Sequence, residues 1–499
     1  MKKKFSFKSY VPTFSSTTPT LTPTTSTQVP EPIVKKNLFS SYFSGIVDTE
    51  HGESHGRIMR YFIPEFISAF LLYSLPVWLD AYFISQLAST SAYATLGTTN
   101  NFVHFMIKFA EAFSVATIIL SGQFNGKGEY ATAGQVLRDA FWVTVVMGLA
   151  FAGFLFFGAS AIYDWYGVPP KIAAMGIPFL RLRAVSVLFT FISLAFIGFL
   201  RGTKNARAAM YIFIIGIIIF VVFDYVLIFG HYGFPKMGLQ GSALASTIQY
   251  VAMFIFAVAY VFYRKKNHKY EVALFSGIGS LAFVGHLFAI SWPVVLDKTI
   301  MAFAYIWLTK MVAPMGKYAL ASFSIIKDIE RFAFLPAVAS GQVITYLVSN
   351  DYGQKNWTGI KSNIKKVLFL TSIMVFVLLM LFCVFPESTI SYFDKKGKFT
   401  DLAARILPFL SILVFFDLIQ LILAAALRGA SDVKVVMYVR LAVVLFYFVP
   451  FSYYLTHLNI ENQVLKLFII YSAFYLGNGI MSLVYIWRFR GEVWKNNNK

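Results

Sequence analysis

Apolar residues run in blocks of about 20, the length needed to cross roughly 30 Å of hydrocarbon, and the blocks recur from Tyr61 to Trp487 with short polar breaks between them. They predict twelve membrane helices, at about 61–85, 101–122, 137–160, 179–200, 208–230, 239–263, 281–308, 318–348, 364–386, 402–427, 434–456 and 464–487. The fold class is therefore an all-α polytopic membrane protein, with the bilayer as its solvent.

The pattern also repeats. Leu200-Arg201-Gly202 recurs as Leu427-Arg428-Gly429 and Met210-Tyr211 as Met437-Tyr438, both 227 residues on. The same spacing carries Ala92 and Ala94 onto Ala319 and Ala321, Leu120 onto Leu347 and Gly126 onto Gly353. One constant offset over so long a stretch argues for duplication of a six-helix unit. An even number of helices makes both copies enter from the same side, so the two six-helix lobes are pseudo-symmetric about the membrane normal and face each other across a central cleft. The expected organisation is a disordered cytosolic tail at 1–56, an N-lobe at 57–263, a cytosolic linker at 264–280, a C-lobe at 281–490 and a short cytosolic tail at 491–499.

Composition sharpens this picture. Of 499 residues, 58% are hydrophobic and 13% charged, and the mean hydropathy is +0.66, whereas soluble domains carry about 25% charged residues. The balance of 43 basic against 23 acidic residues would raise nucleic-acid binding in a soluble chain, but here the cations sit in loops. Arg264, Lys265, Lys266 and Lys269 lie in one even-numbered connection and Arg201, Lys204 and Arg207 in another, while the first odd loop, 86–100, has none. The positive-inside bias thus places both termini in the cytosol of a multi-pass cell-membrane protein, and no nucleic-acid partner is expected. The Ser/Thr/Pro-rich start behind Met1-Lys2-Lys3-Lys4 contains no apolar stretch of the secretory kind, so it reads as a retained tail.

The candidate chemistry lies in the few acids inside the spans, since each is expensive in hydrocarbon. Glu65 and Asp139 fall near cytosolic helix ends, where they can reach water. Glu111 with Lys108, Glu330 with Lys327, and Asp328 with Arg331 stand at i,i+3 spacing, so these pairs either neutralise one another or line a polar cavity. Asp80, Asp224, Asp297 and Asp417 have no local partner on their own helical face. On a 1.5 Å rise, Asp80 and Asp224 lie roughly 28 and 24 Å from the cytosolic side, at one depth of the first lobe. Two carboxylates in a poorly solvated pocket hold a proton or a metal cation, as a coupling-ion site must.

Other chemistries are excluded by what is missing. The single Cys383 allows no internal disulfide or thiolate cluster, none of the seven histidines has metalloenzyme spacing, and Asn125-Gly126-Lys127-Gly128 lacks the P-loop spacing. No enzyme activity, cofactor or resident metal is expected, and transport must draw on an ion gradient.

With these residues in view, the chain resembles the multidrug and toxic compound extrusion (MATE) transporters of the MOP flippase superfamily over about residues 57–490. The resemblance is carried by Asp80-Ala-Tyr-Phe-Ile with Gly97 beyond it, by Ile197-Gly198-Phe199-Leu200-Arg201-Gly202, by Asp224-Tyr225-Val226-Leu227-Ile228-Phe229-Gly230 and by Gly238-Leu239-Gln240-Gly241-Ser242-Ala243. In the second half Asp417-Leu-Ile-Gln420 and Ala424-Ala425-Ala426-Leu427-Arg428-Gly429 are similar to the helix 10 motif of the NorM-type branch. Two positions depart from the family pattern: Phe220 stands where an Asn is common, and the helix 7 acid is Asp297 rather than a residue near Met301.

The resemblance implies a monomeric secondary antiporter that exports organic cations or amphipathic small molecules by alternating access. It further implies cation coupling at Asp80 and Asp224, or at Asp417 with Asp297, with H+ or Na+ as the ion. A lipid-linked oligosaccharide flippase of the same superfamily is the alternative, and would show unpaired basic residues in the N-lobe core. Arg201-Gly202 and Arg428-Gly429 are expected to anchor helix ends at the cytosolic interface.

Overall fold

A computed structural model describes residues 42, 44–46 and 50–496, apart from 88, 278, 280, 392, 393, 395, 396 and 398. Most of the tail expected at 1–56, and residues 497–499 of the C-terminal tail, lie outside the described residues. Among the described residues there is no strand. In chain order the helices are α1 (His55–Tyr73), α2 (Leu75–Ser85), α3 (Thr90–Lys127), α4 (Tyr130–Tyr166), α5 (Pro170–Gly202), α6 (Ala206–Phe229), α7 (Leu239–Tyr263) and α8 (Leu281–Val312). They continue with α9 (Lys317–Ala333), α10 (Leu335–Gly353), α11 (Trp357–Val384), α12 (Pro386–Ser391), α13 (Thr400–Gly429), α14 (Val433–Ala442), α15 (Val449–His457) and α16 (Gln463–Arg490).

Eleven helical stretches among the described residues are long and apolar enough to span a membrane, and the α9–α10 pair, bent by 45°, makes twelve. All twelve expected spans are present, though several run well past the hydrocarbon: α3 has 38 residues where about 20 suffice. Prolines account for the breaks. Pro76 at the start of α2 removes the backbone donor that would continue α1, and Pro336 does the same between α9 and α10. Pro450 follows a π-helical turn at Val443–Phe448 that joins α14 to α15.

The repeat is visible in the backbone. Gly128 and, 227 positions on, Lys355 both end their helix in the left-handed region, with φ of 80° and 57°. Lys204 and Ser431, related by the same offset, do so at 57° and 63°. Correspondence fails at one informative place: α3 is continuous, while its counterpart breaks into α9 and α10, because Pro336 occupies the position of Phe109.

The halves grip each other through equivalent helices. Ile58, Phe62 and Ala69 of α1 join the apolar core built by the second half, and Leu287, Ile290 and Val294 of α8 join that of the first. Residues 264–277 pack along the first half. There Trp142 donates to the Leu274 carbonyl at 2.8 Å and Asn267 to the Tyr260 carbonyl at 3.0 Å.

Residues 50–54, assigned above to the tail, are held in place. The Glu53 amide donates to Asn363 at 2.7 Å, and Lys366 donates to the His51 and Glu53 carbonyls at 2.8 and 3.1 Å.

Candidate functional site

In the first half α2, α6 and α7 bring Asp80, Asp224 and Ser242 together. Ser242 donates to Asp80 at 2.5 Å, and Asp80 is 4% exposed. Asp224 lies within electrostatic range of Asp80 and is fully buried, and neither of its carboxylate oxygens has a hydrogen-bond partner among the described residues. Ser242 has one proton, spent on Asp80, and the Arg183 guanidinium acts on both carboxylates through its field alone, so one positive charge faces two buried acids. A buried carboxylate in that position calls for a counter-cation.

Beside this pair a cavity of about 160 Å³ opens between the halves, lined by Asp80, Asn100, His104, Lys108, Glu111, Arg183 and Phe220 from the first half and by Arg331 from the second. Arg183 donates to Ser246 and, at 3.3 Å, to Asn100, while its Nε is buried without an acceptor. Sequence reasoning gave Arg183 no role in the site. Its signal was a cation one turn inside the expected span at 179–200, and the partners that hold it sit on α3 and α7. The basic residue sought above as a mark of flippases is thus present in the first half, but engaged with two polar side chains.

Glu111 does pair with Lys108, at 3.0 Å, and also takes a bond from Lys298 of α8, so the ion group spans both halves. The other two i,i+3 pairs do not form among the described residues. Glu330 turns inward from α9 and accepts from Tyr471 and, at 2.6 Å, from Tyr475, two hydroxyls supplied by α16. Lys327 instead lies over the Phe323 ring at 5.6 Å, Asp328 is exposed, and Arg331 faces the cavity.

The second half has its own acid cluster. Asp417 accepts from Asn478 at 3.0 Å and lies within electrostatic range of Glu330, with Tyr305 near both. Counted back by 227, Asp417 and Glu330 fall on Thr190 and Val103, so the acid clusters of the two halves are not symmetry mates. Among the described residues, no group of three or more His, Cys, Asp or Glu side chains is placed to hold a metal ion.

Asp297 leaves the list of cation-coupling candidates. Arg440 and Arg428 hold it at 2.5 and 2.6 Å, so its charge is met by two guanidinium groups. The expectation for Arg201 and Arg428 as interfacial anchors is corrected likewise. Arg201 is buried and pairs with Glu65 at 2.8 Å, and each arginine binds a carboxylate on the first helix of its own half. Glu65 therefore does not reach water, nor does Asp139, which is buried against Arg138 and the Gly279 amide at 3.0 and 2.9 Å.

Known proteins match this architecture. The probable multidrug resistance protein NorM of Agrobacterium fabrum is 27% identical over 71% of this chain and 77% of its own length. The probable multidrug resistance protein YoeA of Bacillus subtilis is 24% identical over 88% of this chain and 94% of its own. A crystal structure of MATE in the straight conformation superposes with a TM-score of 0.79 at 18% identity, covering 90% of this chain and 98% of that one. The sequence profile of the MatE family matches twice, at residues 66–226 and 293–454, so that the second match begins 227 residues after the first, the spacing of the internal repeat. With both halves of the duplicated unit matched by that profile, the chain belongs to the MatE family of multi-pass membrane transporters.

Proposed function

We propose that this protein is a secondary antiporter of the cell membrane that expels amphipathic small molecules, organic cations among them, in exchange for an entering proton or sodium ion. The observation that carries the reading is Asp224, buried beside Asp80 with both oxygens unpartnered. Arg183 offers one positive charge to the two carboxylates, a further cation there supplies the second, and the cationic group of a substrate in the adjoining cavity competes with it for Asp80. Competition for one negative site makes the two fluxes opposite in direction. The Glu330–Asp417 cluster offers the second half a comparable position for the coupling ion.

The basic turns at 201–207 and 264–269 support a cytosolic position for that end of the molecule and for both termini. At that end Gln123 donates to Ser431 at 2.8 Å, Asn125 to Asn350 at 2.6 Å, and Asn350 to the Gly202 carbonyl at 2.8 Å, all between the halves. Such closure supports alternating access, with this conformation shut toward the cytosol. The relatives' names, probable multidrug resistance proteins, favour small-molecule cargo.

The test is gradient-driven efflux of ethidium from proteoliposomes, under separately imposed proton and sodium gradients, for the parent, Asp80→Asn, Asp224→Asn and Asp417→Asn. Loss in the first two variants supports coupling in the first half, and loss in Asp417→Asn alone moves it to the second. Folded, inserted protein that moves no amphipathic dye under either gradient refutes the reading.

A further inference from the structure

The helix α8 changes sides along its length. Leu287, Ile290 and Val294 in its first part belong to the apolar core of the first half, and Ala304, Leu308 and Met311 in its last part to that of the second. Crossed ring pairs fasten the first part to α3, Phe113 against Phe288 at 5.3 Å and Phe124 against Phe283 at 5.7 Å. The change of sides falls at two adjacent residues of opposite charge. Asp297 accepts from Arg428 and Arg440 of the second half, while Lys298 donates to Glu111 of α3, the last residue toward the cytosolic end of that helix to line the cavity. Neighbours on a helix point about 100° apart, so a single turn of α8 is tied to both halves at once.

Charge balance at Glu111 does not account for Lys298. Lys108, one turn away on the same helix, already bonds Glu111 at 3.0 Å, so that carboxylate keeps a counter-charge from within its own half. The crossing is not charged in the first half either. The helix α1 passes between the halves in the same way, yet 227 residues back from Asp297 and Lys298 it carries Phe70 and Leu71. A lysine at membrane depth is expensive, and one that its acid does not need calls for another role.

We propose that Lys298 is a positioning residue for transport: together with Asp297 it pins α8 to both halves at one level, and that turn is the pivot about which the halves rock. The proposal rests on the alternating-access part of the antiporter reading. A lysine suits a pivot, since its ammonium is a point charge with rotatable donors on a flexible stem, which holds a distance without fixing an angle. Without the pin, motion of one half is no longer carried along α8 to the other, so turnover slows while the cavity still binds its cargo.

The experiment measures gradient-driven ethidium efflux from proteoliposomes of the full chain, as kcat and KM per folded molecule, with Tm in detergent alongside. Lys298→Gln and Glu111→Lys should each lower kcat about tenfold with KM unchanged, the worth of one charge-assisted hydrogen bond, and the exchanged pair Glu111→Lys/Lys298→Glu should restore most of it. In a Cys383→Ser background, Glu111→Cys/Lys298→Cys should be slow when reduced and regain transport when a short bifunctional thiol reagent joins the two, because a pivot keeps its length through the cycle.

A crosslink that abolishes the remaining transport overturns the proposal, since the two side chains must then part in every cycle. So does a raised KM at constant kcat, which makes Lys298 a cargo contact, or a lowered Tm at constant kcat, which makes it packing alone. These outcomes leave the antiporter reading in place, whereas folded parent that moves no dye overturns both.

Discussion

Gly126 and Gly353, 227 positions apart, occupy the same place in the two halves. A Cβ on Gly126 would stand 2.1 Å from the Asn350 carbonyl oxygen, and one on Gly353 would stand 2.1 Å from that of Gln123. Gln123 and Asn350 are themselves repeat mates, so the contact between α3 and α10 is a two-fold one, backbone against backbone. Gly122 adds to it, since a Cβ there would meet the Ser349 hydroxyl at 2.1 Å. The two halves close against each other here, at the end proposed above to face the cytosol.

Replacing either glycine should therefore hold that end apart. In Gly353→Ala the new methyl meets a main-chain oxygen that cannot rotate away, so the helices must separate, at a cost of about 1–3 kcal/mol. In a Cys383→Ser background, a reporter Ser431→Cys should react faster with a water-soluble maleimide when Gly353→Ala is present, and dye efflux should fall. Unchanged labelling would mean that the closed contact is not the one the protein uses.

Asp224 and Asp297 are both buried aspartates, yet they should respond oppositely to the same change. Asp297→Asn leaves Arg428 and Arg440 facing each other without their anion, and breaking such a group costs about 3–5 kcal/mol. Asp224→Asn removes a charge that no hydrogen bond holds among the described residues and that stands beside a second carboxylate, so thermal stability in detergent should hold or rise while coupled efflux is lost. A destabilised Asp224→Asn would indicate that its carboxylate is structural.

How far these roles could be read beforehand depends on distance along the chain. The spans, the duplication and the shared depth of Asp80 and Asp224 are local or periodic properties, and the twelve helices with their offset of 227 are all present in the structure. The pairings are not local. Asp297 meets arginines 131 and 143 residues away, Glu65 meets Arg201 at a separation of 136, and Glu330 finds Tyr471 141 residues on. Helical spacing shows which residues share a face but not which helix that face meets, so the i,i+3 neighbours Lys327 and Glu330 suggested a pair that tyrosines of α16 outcompete.

Pro336 offers a test of why the halves differ. Its repeat mate is Phe109, within a continuous α3, and the 45° bend that it introduces turns the end of α9 toward the cavity. Pro336→Ala restores the missing backbone donor, so α9 and α10 should straighten with no loss of helix content by circular dichroism. Glu330 then rotates off Tyr471 and Tyr475, and dye transport should drop by about tenfold, the worth of one charged contact. Full transport with a straightened helix would show that the bend serves packing alone.

Glu53 gives the last prediction, on pH. Burial pushes its carboxyl up, but Lys204 at 3.1 Å and Arg57 at 2.7 Å outweigh that and hold it below its usual 4.5. A carboxylate lowered on folding stabilises fully above its unfolded value, and the contribution is lost as pH falls through the folded one. At neutral pH the bridge from residue 53 to Lys204 should therefore fix the segment before α1 between the first-half turn and α11, where its backbone is already bound by Asn363 and Lys366. Glu53→Gln should speed proteolytic clipping of that segment at pH 7, and an acid-active protease should show the difference from the parent shrinking only as pH falls below the usual carboxylate range, where the lowered carboxyl gains its proton. Parent and variant clipped at one rate at neutral pH would show that the backbone bonds alone hold the segment, and that the Lys204 bridge contributes nothing to it.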